Sequence, residues 1–193
     1  MTARTHDLAA ATAFGVMLLM HAPENITLGT LLIGLLANQI GGIAPDIDQP
    51  TAPFWRNLPI GGFFGRIFDK MLGGHRFLTH SLLGVALFGF LANMLLKALH
   101  PVMPHTDIHF VLIAFLIGML SHLVMDTITK EGVPWLLPIP IKFGIPPLKK
   151  LRITTGSFGE TLVFLGILAF DIWYASSHST EILLLLHRHI IQG

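Results

Sequence analysis

Five apolar runs, at about 8–20, 28–44, 81–99, 110–128 and 158–175, constrain this chain more than any other feature. A bilayer crossing takes about 20 predominantly apolar residues, with a range of about 17 to 25. The last three runs meet that length. The first two are shorter and read as a tight helical hairpin, tilted or partly re-entrant. Composition points the same way: of 193 residues, 52% are hydrophobic and 12% charged, against about 25% charged in a soluble domain. The expected fold is all-α: a polytopic transmembrane helical bundle with about five membrane segments and irregular cytoplasmic loops.

Arg4 ahead of the first run gives the N-terminus the look of a signal peptide. His6 and Asp7 interrupt its start, however, and no small-x-small cleavage site precedes a polar mature domain, so a retained segment is expected. The organisation is then a single membrane-embedded domain. Residues 1–44 form a helical hairpin, 45–80 a motif loop, 81–128 a second hairpin, 129–157 a proline-rich loop, and 158–193 the last helix and a tail. The stretch GGFFGRIFDKMLGG within the motif loop reads as a short amphipathic piece able to rest on the bilayer. Prolines in GVPWLLPIPIKFGIPPLKK exclude a long regular helix there. The chain has no cysteine, which excludes disulfides, thiolate metal ligands and a cysteine nucleophile. A net charge of +1 gives no basis for a nucleic-acid partner. Membrane lipids are the expected partners.

Lysine and arginine set orientation. Ten of the twelve are Arg4, Arg56, Arg66, Lys70, Arg76, Lys130, Lys142, Lys149, Lys150 and Arg152, whereas 21–27 and 100–109 contain none. With five crossings, the three basic regions share one face, which should be the cytoplasmic one. His6, Asp46, Asp48, His75, His80, His122, Asp126 and Glu160 all fall at that same face. Residues from remote parts of the chain thus share one layer, where unrelated surface groups would scatter over both faces.

The spacings suit a cation. His122 and Asp126 are four apart and share a helix face. Asp46 and Asp48 flank Ile47 in a turn opened by Pro45. His75 and His80 precede an apolar run, and Thr79 is a candidate cap that would put His80 in the first turn of a helix. Imidazole with carboxylate suits zinc, iron, manganese or nickel, whereas magnesium prefers oxygen alone. Such a set could hold one or two divalent ions, zinc first, with manganese or iron as alternatives. A two-ion site activates water and clamps the leaving oxygen of an ester or phosphoester. Arg76 could bind a phosphate oxygen, and Asp46, Asp48 or Glu160 could serve as base. Each residue also has a plainer explanation: an ion pair locking a helix for His122 and Asp126, a helix end for Asp46 and Asp48, interfacial histidines for His75 and His80, and a carboxylate favoured by the helix dipole for Glu160. Ser81 and Ser121 adjoin histidines, but sequence neighbours on a helix do not face each other and no nucleophile elbow is present.

Taken together, IAPDIDQP (43–50), HRFLTHSLLG (75–84) and SHLVMDTITKEG (121–132) resemble the YdjM-like family of bacterial inner-membrane proteins, described as membrane-bound metal-dependent hydrolases. The family pattern falls here on His6; on Pro45, Asp46, Ile47 and Asp48; on His75, Arg76, Thr79, His80 and Ser81; on Ser121, His122, Asp126, Thr129, Gly132 and Val133; and on Thr155, Gly156, Ser157 and Glu160. Gln49 stands where the family often has histidine, and Phe77 where it often has glycine. The resemblance implies a metal-dependent hydrolase of the bacterial inner membrane. Its metal ligands would come from His6, Asp46, Asp48, His75, His80, His122 and Asp126, with Asp48, Arg76 and Glu160 in catalytic roles. A lipid or other phosphoester substrate would suit a site at the bilayer surface. The rival class is a metal or ion transporter or a metal-stabilised scaffold; transporters place polar sites nearer the midplane. Reporter fusions ending near 48 and near 135 should both give the cytoplasmic signal, and one near 104 the opposite signal; 48 and 126 on opposite sides would end the single-layer reading.

Overall fold

The computed structural model describes residues 1–21, 26–56, 58–71, 76–139 and 141–191. The helices are α1 (Ala3–His21), α2 (Leu28–Ile43), α3 (Pro53–Arg56), α4 (Gly61–Met71), α5 (Leu82–Leu99), α6 (Ile108–Thr127), α7 (Phe158–Ser177) and α8 (Ser179–Ile191). Two 3-10 turns matter below: Ala44–Asp48, which continues from α2, and Leu78–His80, which leads into α5. Among the described residues there is no strand; two isolated bridges, Thr129 to Ile153 and Val133 to Phe143, tie the proline-rich loop together.

α6 is the axis of the bundle. Its buried positions include Val111, Ala114, Gly118, His122 and Asp126, a spacing of three or four residues that lies along one face of a helix. α1, α2 and α5 pack around it, and α7 packs against α1. The face that buries the apolar residues therefore also carries His122 and Asp126 inward at its C-terminal end. At the other end Phe14, Ile26, Phe110 and Ala114 form the apolar core. There Asp107 caps α6 by accepting from His109 N at 2.9 Å and Phe110 N at 3.1 Å.

α2 and α6 approach until their backbones touch. A Cβ added to Gly41 would run into the Phe115 carbonyl oxygen, and one added to Gly118 into the Asn38 carbonyl oxygen. Small residues permit this in membrane helices, where dispersion and interhelical hydrogen bonds drive association. One such bond runs from buried Asn38 Nδ2 to Ala114 O at 3.1 Å.

The outer faces stay apolar. Leu32, Leu36 and Ile40 on α2, Leu83, Phe90 and Met94 on α5, and Leu162, Leu165 and Ile172 on α7 are exposed. Lipid rather than water matches such surfaces. Among the described residues, four stretches are long and apolar enough to cross a membrane: Leu28–Asp48, Leu82–Val102, Ile108–Thr127 and Phe158–Ser177. The chain is thus a helical membrane bundle. α1 was expected as a fifth membrane segment; it is a 19-residue helix within the bundle but not among those four, because Arg4, His6 and Asp7 occupy its start. Phe63, Phe64 and Ile67 on α4 are exposed, as an amphipathic surface piece requires, and Leu136, Ile139, Ile145, Leu148 and Leu151 are exposed on the proline-rich loop.

Gly41→Ala should destabilise the detergent-solubilised protein by about 1–3 kcal/mol, the range for overpacking a close contact. Gly15→Ala, whose added Cβ meets nothing within 4 Å, should be neutral or stabilising by up to about 1 kcal/mol. Thermal unfolding of the two variants checks the pair.

Candidate metal centre

The polar layer is assembled from four places: the first turn of α1, the 3-10 turn after α2, the segment 76–80 before α5, and the C-terminal end of α6. His6, Asp48, His80, His122 and Asp126 are all buried there, while the Asp46 side chain is 22% exposed and marks the mouth.

Asp126 is the hub. Its Oδ1 lies 2.5 Å from the Met1 ammonium and 3.3 Å from His6 Nε2. Its Oδ2 lies 2.7 Å from Arg76 Nη2, 3.6 Å from His80 Nε2 and 3.8 Å from His122 Nε2. Asp46 Oδ1 completes the circle at 3.7 Å from His80 Nε2 and 3.6 Å from His122 Nε2. Two sets of donors converge, His6 with His122 and Asp126, and Asp46 with His80 and His122; within each, the donor atoms lie inside 4.8 Å of one another. Bonds of about 2.0–2.1 Å to a tetrahedral ion put neighbouring donors about 3.3–3.4 Å apart. The observed 3.3 to 3.8 Å spread needs only a slight contraction to meet that.

Ring orientation separates this arrangement from an ordinary ion-pair network. His122 Nδ1 lies 2.6 Å from the Gly42 carbonyl oxygen. Only an Nδ1–H can donate there, so Nε2 carries a lone pair. That lone pair faces Asp46 and Asp126, which carry no proton to offer it when ionised. His80 is oriented by a relay. Thr79 Oγ1 donates to Asp48 Oδ2 and lies 2.9 Å from His80 Nδ1. With its proton given to Asp48, the hydroxyl accepts from Nδ1–H, again turning Nε2 toward the centre. Outer hydrogen bonds of this kind are the usual device for aiming a metal-ligating imidazole. The His6 ring stacks on His122 with centroids 3.6 Å apart and planes at 6°. Among the described residues, neither His6 nitrogen nor His122 Nε2 has a hydrogen-bond partner. A buried polar atom left so costs about 1–3 kcal/mol, and a cation would satisfy them together. The donor set therefore fits a divalent ion. Burial works against the charged form of His80, but Asp126, Asp48 and Asp46 outweigh it and raise its pKa above the ordinary value while no cation is bound.

Arg76 is locked into this layer. Its backbone N–H donates to Asp48 Oδ2 at 3.0 Å and its Nη1 to Thr129 Oγ1 at 3.0 Å. Its φ of 59° is left-handed, a conformation that costs a non-glycine residue about 1–2 kcal/mol and persists where surroundings over-determine it. Asp48 belongs to neither converging donor set; it holds Arg76 and Thr79 in place from behind. Glu160 is buried beside Thr2 and Thr5, away from the converging donors. His75 lies outside the described residues. Thr79 does not cap α5 as expected. Ser81 does, accepting from Gly84 N at 3.0 Å, because the Thr79 hydroxyl is drawn to Asp48. Ser81 Oγ also donates to Leu78 O and Ser121 Oγ to Gly118 O, so both hydroxyls serve their own backbone. The Gly42 carbonyl and the Met1 ammonium were not anticipated; a backbone acceptor leaves no mark in side-chain patterns.

Asp126→Asn should destabilise the metal-free protein by about 3–5 kcal/mol, the scale for removing one partner of a buried ion pair, since Arg76 would lose its carboxylate. Thermal unfolding in chelator reads this out.

The chain matches the YdjM inner membrane protein family over residues 1–187. It is 30% identical over 135 residues to the uncharacterized protein YvsG of Bacillus subtilis (strain 168), covering 70% of this chain and 73% of that protein. It is 31% identical over 140 residues to the inner membrane protein YdjM of Escherichia coli (strain K12), covering 70% of this chain and 63% of that protein, and equally to YdjM of Shigella flexneri. The chain thus spans less than two thirds of the two YdjM proteins. No solved structure matches significantly. With its apolar spans and converging histidines and aspartates, the chain belongs to the YdjM inner membrane protein family.

Proposed function

We propose that this protein is a metal-dependent hydrolase of the inner membrane, acting on an ester or phosphoester of a lipid or similar amphiphile from the cytoplasmic face. The observation that carries the reading is the His122 ring, whose Nδ1 is tied to Gly42 O at 2.6 Å while Nε2 faces two carboxylates. His6, His122 and Asp126 would hold one ion, and Asp46, His80 and His122 would hold it or a second. Zinc suits this mixture of nitrogen and oxygen donors best, with manganese or iron next. A divalent ion so held supplies Lewis acidity and an activated water for hydrolysis.

The chain's own residues would do the remainder. Asp46 at the mouth meets incoming substrate, and Asp46 or Asp48 would accept the proton released by water. Arg76 would draw an anionic phosphoester towards the site. The lipid assignment is supported by position: Asp48 ends one candidate span, Asp126 lies one residue from the end of another, and His80 lies two residues before a third. A headgroup would meet that layer while its chains stay in the bilayer.

A second reading is favoured by the partners of Asp126. Arg76 and the Met1 ammonium already lie beside it at 2.7 and 2.5 Å, which would suit a metal-free ionic scaffold. Elemental analysis of the purified full chain decides between the two. The hydrolase reading expects zinc, manganese or iron in the wild type, its loss in a His122→Ala, Asp126→Ala double variant, and chelator-sensitive turnover in a screen of lipid phosphates and esters. Equal metal in both proteins would remove the first reading and leave the scaffold.

A further inference from the structure

Glu160 is only 3% exposed and belongs to neither converging donor set. Its Oε1 accepts from Thr2 N at 2.7 Å, Thr2 Oγ1 at 2.6 Å and Thr5 Oγ1 at 2.7 Å. Its Oε2 accepts from Gly156 N at 2.6 Å. Three donors thus converge on one oxygen and one on the other, and charge-assisted bonds of this kind are strong. Three of the four belong to the opening turn of α1. The fourth belongs to the stretch leading into α7, so one side chain joins two helices that begin more than 150 residues apart in sequence.

His6 follows Thr5 directly. Neither ring nitrogen makes a well-aligned hydrogen bond, so the ring is held by its stack on His122, by the 3.3 Å contact of Nε2 with Asp126 Oδ1, and by the backbone that carries it. Among the described residues a second side-chain tether between α1 and α7 runs from Thr12 Oγ1 to Asp171 Oδ2 at 2.9 Å, about two turns further along α1. That bond lies too far along α1 to fix its first turn, which apart from Glu160 is held by the Met1 ammonium on Asp126 Oδ1 at 2.5 Å. We infer that Glu160 is a positioning residue that grips the first turn of α1 and thereby keeps His6 among the cation donors. The inference rests on the metal reading above and gives Glu160 a structural role in place of that of a base.

The test uses the detergent-solubilised full chain titrated with Co²⁺, whose visible absorption reports ligand number and type. Glu160→Gln keeps the shape but replaces one acceptor oxygen with a donor group. It should weaken Co²⁺ binding about tenfold or more, the scale for losing an outer-shell partner, and shift the visible band as His6→Ala does. The double variant should bind no more weakly than His6→Ala alone, because both changes remove the same ligand. Thr5→Val should move affinity and band in the same direction by less, and Thr5→Ser should match the wild type. A Glu160→Gln protein with wild-type affinity and band, or an effect additive with His6→Ala, overturns the inference. If Glu160→Gln does not fold, the contrast between Thr5→Val and Thr5→Ser decides in its place. A wild-type chain that binds no Co²⁺ overturns the metal reading and this inference with it, which distinguishes the two failures.

Discussion

A carboxylate buried at the end of a membrane helix is the constraint around which the polar layer is organised. Removing a charge from water costs several kcal/mol even after relaxation, and Asp126 is fully buried. Its partners must therefore come to it. Arg76 arrives from the segment before α5, the Met1 ammonium and His6 from the start of α1, and His122 from one turn earlier on α6 itself. None of these elements is near another in sequence. The left-handed backbone of Arg76 is what remains visible of the bend needed to deliver its guanidinium.

Helix packing and site chemistry are connected through α2. Gly41 and Gly118 let α2 and α6 come together backbone to backbone. The next residue, Gly42, then presents its carbonyl oxygen to His122 Nδ1. A wider crossing would leave that ring without its acceptor and free to turn. The tautomer of a candidate ligand is thus set by the absence of side chains at a helix crossing. The same crossing buries Asn38 against Ala114 O, so this amide is satisfied by backbone rather than by solvent.

The bundle also divides its surfaces by solvent. Large apolar side chains cover the outer faces of α2, α5 and α7, and the buried histidines and carboxylates lie at one end. Asp46 is the partly exposed member of the converging donors.

Much of the architecture was legible in the sequence, because the length of an apolar run is a direct consequence of bilayer thickness. The runs at 81–99, 110–128 and 158–175 became Leu82–Leu99, Ile108–Thr127 and Phe158–Ser177. The shared layer of His6, Asp46, Asp48, His80, His122 and Asp126 followed from their places at segment ends. Sequence could not sort them into roles. Asp46 and Asp48 are two residues apart and chemically identical, yet one faces the converging imidazole nitrogens and the other holds Thr79 and the Arg76 backbone. Glu160 read as a candidate base and is instead engaged by Thr2, Thr5 and Gly156. Hydropathy and spacing act along the chain and are set by local composition, so they determined which segments lie in the membrane and which polar residues lie at its edge. Which atom of each side chain faces which partner depends on contacts between segments up to 159 residues apart, and only the packing of α1, α2, α6 and α7 decided that.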